Sequence, residues 1–177
     1  EALRGVVHDP TAQKMGGVAG HAGLFSTASD LARYSRMLLN LGELEGVRIF
    51  KPETVRLMTT VQTPEGMTAR RGLGWDIDSP YSGPRGRLFP VGSFGHTGWT
   101  GTSLWLDLLS KTFVIFLSNR NHPNENGSVL KLRSRLRTLA AESIADFEFA
   151  AVENLPASTA TVGTNAARTP PARTSNG

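Results

Sequence analysis

The chain has 177 residues, 39% of them hydrophobic, a formal net charge of +4 and no cysteine. That length and apolar content suit one domain with its own core; the lack of cysteine excludes a disulfide framework, a thiolate zinc site and a cysteine nucleophile. No apolar run approaches the roughly 18 residues that span a membrane, and the basic excess lies partly in a terminal segment (Arg168, Arg173) without interleaved aromatic residues, so it reads as solubility and not as a nucleic-acid footprint.

Glu1 is not a start residue, so the beginning of the gene product, with any export signal, is expected upstream. Residues 1–25 are glycine-rich and read as an irregular loop. A helix is expected from Thr27, where Thr27-x-x-Asp30 resembles a capping box. Leu31, Tyr34, Leu38 and Leu41 then recur at helical spacing, and Gly42 is a natural stop. Pro52 and Glu53 open a second short helix through about Thr60. Residues 72–78 read as a strand, followed by a Pro/Gly/Ser-rich loop from Ser79 to about Gly92.

Residues 100–107 and 112–118 read as two strands of a hairpin. The consecutive apolar residues Phe113 to Leu117 point to a strand covered on both faces, placing the hairpin at the middle of a sheet. A long helix is expected over 128–149, with Val129, Leu132, Leu136, Leu139 and Phe147 as its buried stripe and Lys131, Arg133, Arg135 and Arg137 on solvated faces. From Asn154 the composition turns to Ala, Thr, Pro, Ser and Asn. This reading divides the chain into a folded part, 1–153, and a tail or interdomain linker, 154–177, with too little apolar surface to fold.

The sharpest chemical signal is Phe94-Gly95-His96-Thr97-Gly98-Trp99-Thr100-Gly101. Its three glycines let the backbone approach a ligand closely, and a histidine and two threonine hydroxyls share the span. Bare amides with a titratable donor suit an anion or oxyanion. The same residues equally suit a glycine-kinked sheet edge with a hydrogen-bonded histidine. His8, Asp9, His21 and His96 are metal-ligand types, but no pair of histidines has a ligand spacing on one element. No metal and no cofactor is expected.

His96-Thr97-Gly98, followed by GTSLWLD and a hydrophobic strand, resembles the third motif of serine penicillin-binding proteins and class C β-lactamases, Lys-Thr-Gly or His-Thr-Gly. GHAGLFSTASDLARYSRMLLNLG, LGWDID and SNR fall in the order of that family, so the similarity covers roughly residues 3–150. It implies an α/β (α+β) architecture, the C-terminal part of the β-lactamase/DD-peptidase-like fold, with an antiparallel sheet flanked by helices. It implies hydrolysis of an amide or ester through an acyl-serine intermediate, on a small molecule or a peptidoglycan peptide, in a bacterial periplasmic or extracellular protein. Antibiotic hydrolysis is less expected, since His replaces the lysine of most β-lactamases.

The resemblance assigns His96 as the motif's cation or donor, Thr97 as a hydroxyl for a substrate carboxylate, and Gly98 as the position that keeps the strand edge clear. Trp99 would supply one of two oxyanion-hole amides, its side chain lining the pocket with Thr100 beside it. Losing one such donor typically costs about 2.7–4 kcal/mol in the transition state. The family's Ser-x-x-Lys and Tyr-x-Asn motifs would lie upstream. Ser128-Val129-Leu130-Lys131 spells the first, but after the His-Thr-Gly strand, which is the wrong order; Tyr81-Ser82-Gly83 lacks the Asn. Both read as accidental, and the fragment alone is expected to be inactive. The reading from another class is a non-catalytic module that binds cell-wall or peptide ligands. Whether a further domain follows the tail stays open.

Overall fold

The computed structural model describes residues 3–149; the expected tail at 154–177 lies outside them. A five-stranded antiparallel sheet runs in the order β3 (Arg70–Arg71), β4 (Asp76–Asp78), β5 (Phe94–Thr97), β6 (Ser103–Asp107), β7 (Thr112–Phe116). Helices α2 (Ala28–Leu39) and α3 (Pro52–Thr59) cover one face, and α4 (Leu130–Glu142) lies against the other. The expected architecture, an antiparallel sheet flanked by helices, is what forms.

Helix α2 begins where its cap requires. The Thr27 hydroxyl accepts the Asp30 N–H at 3.1 Å and donates to the Asp30 carboxylate at 2.9 Å, satisfying a helix-end donor that has no partner within the helix. At the other end the Gly42 N–H returns to the Met37 carbonyl at 2.8 Å. Gly42 holds φ +95°, and a Cβ there would strike the Phe50 carbonyl, so the helix stops at this residue type. A small hairpin not foreseen in the sequence follows, β1 (Glu43–Leu44) with β2 (Val47–Arg48).

Alternation along β6 and β7 sorts their side chains between two cores. Leu104, Leu106 and Phe113 face the first, with Met37, Leu38, Leu39, Val55, Trp75, Ile77 and Phe94. Trp75 sits edge-on to Phe94, ring centres 5.2 Å apart. Trp105 and Val114 face the second core, with Phe89, Ala141 and Phe149. Full burial of a side chain such as Leu38 is worth about 1.5–3 kcal/mol.

Several expectations are corrected. Residues 1–25 contain a short helix, α1 (Pro10–Lys14), because Asp9 caps it and Pro10 presets its first turn. The expected strand over 72–78 is confined to Asp76–Asp78, with Gly72 to Trp75 bending between β3 and β4. The first hairpin strand begins at Ser103, because residues 98–102 form a turn. Among the described residues that hairpin lies at one side of the sheet, with β7 as the outer strand, and all five β7 residues are half-buried. Helix α4 is shorter than 128–149, and its buried residues are Arg133, Arg137, Thr138 and Ala141. Leu132 and Leu139, expected inside, are 47% and 48% exposed. The helical period is present, but two arginines occupy it.

Candidate active-site edge and turn

Strand β5 pairs fully with β6, from Phe94↔Leu106 to Thr97↔Ser103. On its other side β4 reaches it only at Asp76↔Gly95. From His96 onward that edge has no strand beside it among the described residues. The Gly98 N–H donates to the Thr102 carbonyl at 2.8 Å, toward β6. Antiparallel alternation therefore turns the Thr97 backbone toward the open edge. Such an edge offers an extended chain its ladder hydrogen bonds.

His96 is exposed at this edge and fixed by two contacts. Arg71 Nη2 donates to its Nε2 at 3.1 Å, and Nδ1 lies 3.0 Å from the Thr97 carbonyl. A guanidinium has no acceptor, so Nε2 carries the lone pair and the ring proton is on Nδ1, donating to Thr97. Arg71 Nη1 pairs with the buried Asp76 at 3.0 Å, and the Ser79 hydroxyl donates to the same carboxylate oxygen at 2.8 Å. The positive charge beside the edge therefore belongs to Arg71, which Asp76 holds in place.

The turn from Gly98 to Thr102 is tied down by its carbonyls. Arg133 donates to Gly98 at 2.9 Å, Thr102 at 2.8 Å and Gly101 at 3.2 Å. Arg120 Nε donates to the Trp99 carbonyl at 2.6 Å, and the Arg120 N–H to the Thr100 carbonyl at 2.8 Å. The Ser118 hydroxyl adds a second bond to Gly101 at 3.0 Å. The Arg120 guanidinium also stacks 4.2 Å from the centre of the Trp99 ring, a ring 66% exposed. Burial, and after it the like charge of Arg120, holds the Arg133 guanidinium below its ordinary value. Burial, and then the charge of Arg133, pushes Arg137 down to about 9.

The Beta-lactamase family model matches residues 2–138. The chain belongs to the β-lactamase family. It is 40% identical over 123 residues to an Escherichia coli (strain K12) protein named "Putative D-alanyl-D-alanine carboxypeptidase", covering 68% of this chain and 28% of that protein. A protein of the same name from Salmonella newport (strain SL254) is 41% identical over 123 residues, again covering 68% and 28%. The chain thus spans about 28% of the length of the curated relatives it matches. A solved β-lactamase from Mycobacterium bovis shares the fold, with a TM-score of 0.54 at 23% identity over 74% of this chain and 52% of that one.

Within this family member, the residues singled out in the sequence take distinct places. His96 and Thr97 lie on β5, and Gly98, Trp99 and Thr100 on the turn that follows. A Cβ at Gly98 would strike the Thr102 hydroxyl, so a larger residue there would make the Thr102 side chain move. Ser128 and Lys131 are both exposed at the start of α4, and Tyr81 is exposed in its loop. His21 and His8 engage different carboxylates, Asp9 at 2.9 Å and Glu125 at 2.9 Å. Among the described residues no three His, Cys, Asp or Glu side chains gather as a metal site, and no helix is long and apolar enough to cross a membrane.

Arg71, Asp76, Arg120 and Arg133 were not foreseen as part of the site. Arg120 stands in the SNR segment that carried the resemblance, which is the one signal available for it. Arg133 and Arg137 stand four apart on α4, a spacing that marks one helix face but does not say which face is buried.

Proposed function

We propose that the β5 edge and the turn after it form one wall of a serine hydrolase active site that cleaves an amide or ester through an acyl-serine intermediate. The carrying observation is the open edge at His96–Gly98, continuous with a turn whose carbonyls are drawn away by two arginines. A substrate carbonyl seated there would meet backbone N–H groups, with the Trp99 amide as one oxyanion donor. Arg71, beside His96, supplies positive charge for a substrate carboxylate, and Thr97 supplies a hydroxyl. Thr100 and Gly98 line the same turn.

The nucleophile and its bases come, in this reading, from sequence upstream of Glu1. The name of the E. coli and Salmonella relatives supports a peptide ending in D-alanyl-D-alanine, or a related ester, as substrate, and with it a periplasmic or extracellular bacterial location. Residues 1–153 would then be one part of the catalytic domain, with 154–177 a disordered tail or interdomain linker. No cofactor is needed for this chemistry, because a serine hydroxyl flanked by bases and an oxyanion hole suffices.

The test is covalent trapping. The complete gene product is expected to form a stable adduct with a fluorescent penicillin and to show burst kinetics with a nitrophenyl ester. The isolated chain of residues 1–177 is expected to do neither. Labelling of the isolated chain that disappears in Ser128→Ala would move the nucleophile to α4 and overturn the assignment. A complete protein that binds peptidoglycan peptides without forming an adduct would be a binding module.

A further inference from the structure

We infer that Arg133 of α4 is a positioning residue for the turn that carries the proposed oxyanion amide; the inference rests on the functional reading above. One buried guanidinium, 5% exposed, reaches three carbonyls of a five-residue turn, those of Gly98, Gly101 and Thr102. Arg120 takes the two between them, Trp99 and Thr100. Every carbonyl from 98 to 102 is therefore bound by an arginine, through its side chain or, at Thr100, its backbone.

A peptide unit is planar and its N–H points opposite to its C=O. Holding the Gly98 and Trp99 carbonyls toward α4 and the chain after β7 fixes where the Trp99 and Thr100 amides aim. Two backbone bonds close the turn, from the Gly98 N–H to Thr102 and from the Gly101 N–H to Gly98, but its glycines add little stiffness, so without the arginine anchors its amide directions would spread. An oxyanion donor must lie about 2.7–3.1 Å from the charge it stabilises, and a displacement of about 1 Å can cost on the order of a hundredfold in rate.

The site also carries an electrostatic consequence. Among the described residues no carboxylate lies within ion-pair distance of Arg133, so its charge is compensated by carbonyl dipoles. Two guanidinium groups behind one turn repel each other: burial first, and then the like charge of Arg120, holds Arg133 below its ordinary value. Negative charge developing on the far side of the turn offsets that repulsion. The pair is thus fixed positive charge behind the amides, present before substrate arrives.

The experiment uses the complete gene product with Arg133→Met and Arg133→Lys. Single-turnover acylation by a nitrophenyl ester separates the acylation rate constant from the dissociation constant of the non-covalent complex. Arg133→Met is expected to lower the rate constant ten- to a hundredfold while the dissociation constant moves less than about threefold. Arg133→Lys, with one compact ammonium, should recover part of that loss, and millimolar guanidinium should partly rescue Arg133→Met. A second readout needs no activity: the Gly98 and Gly101 amides, which bond within the turn, and the Arg120 amide, which bonds onto it, should exchange at least tenfold faster in Arg133→Met, with the β6–β7 ladder unchanged. Unchanged exchange at those three amides would overturn the inference. So would a wild-type acylation rate in active-site-titrated Arg133→Met. If the wild-type protein never acylates but exchange accelerates as expected, the hydrolase reading fails and the positioning role stands.

Discussion

The two faces of the sheet are built on different principles. Against α2 and α3 the sheet buries an apolar cluster in which Leu38, Val55, Phe94 and Leu106 are fully covered. Against α4 it buries aromatic residues together with two guanidinium groups, while Leu130, Leu132 and Leu139 of the same helix stay exposed. The first face holds the strands together by removing hydrocarbon from water. The second gives up that gain and brings Arg133 under the turn beside His96. A helix can therefore be amphipathic in period yet bury its basic residues, when backbone carbonyls are there to receive them.

The largest expected effect strikes the apolar face. Leu38→Ala leaves a cavity in a close-packed cluster and should cost about 2–5 kcal/mol of unfolding free energy. Denaturant titration measures it, and the residues of the turn should keep their amide exchange pattern. If the turn loosens as much as the core, the two faces are not independent.

His96→Ala reverses the pattern. In the complete protein it should lower kcat/KM roughly ten- to a thousandfold while the melting temperature stays near that of the wild type, since His96 is exposed. An earlier melt with full turnover per active site would make His96 structural, and the edge would lose its proposed role.

Arg71→Lys is the finer cut at the same edge. It keeps a cation near the buried Asp76 but loses the planar fork that serves Asp76 and His96 together. Histidine nitrogen shifts should show the Nδ1–H tautomer in the wild type and a mixture in the variant, with kcat/KM lower by about tenfold. A wild-type ring protonated on Nε2 would refute the Arg71 contact.

On the exposed side of α4, Leu132→Ser should change the stability of this chain by less than about 0.5 kcal/mol. A loss comparable to that of Leu38→Ala would mean the leucine stripe is buried after all.

The smallest effect concerns the loop around α1. The Ala12 amide, and after it His21, hold the Asp9 carboxyl below its ordinary value. The folded state therefore binds fewer protons there than the unfolded one, and stability rises with pH through that window. The contribution is present above the unfolded carboxylate value and is lost as pH falls through the folded one. The protection of the Gly17 amide, which bonds Ala12, measured relative to its intrinsic exchange rate, should fall in acid, and Asp9→Asn should remove most of that pH dependence.

Local chemistry determined much of this protein by itself. The Thr27 cap, the Leu38 stripe and the Gly42 stop are written in neighbouring residues, and so is the hairpin closed at Asp107 and Thr112. The His-Thr-Gly signal is local in the same way: its glycines and hydroxyls sit within eight residues. Long-range choices were not legible. Whether β7 lies inside or outside the sheet depends on which strands flank it, and the run from Phe113 to Leu117 is the same in either case. Which face of α4 is buried depended on carbonyls more than 30 residues away in sequence, those of Gly98, Gly101 and Thr102. Hydrophobic periodicity ranks side chains by their cost in hydrocarbon. Only the tertiary structure supplies the acceptors that make a buried arginine stable, and so only it decided that Arg133 stands behind the turn.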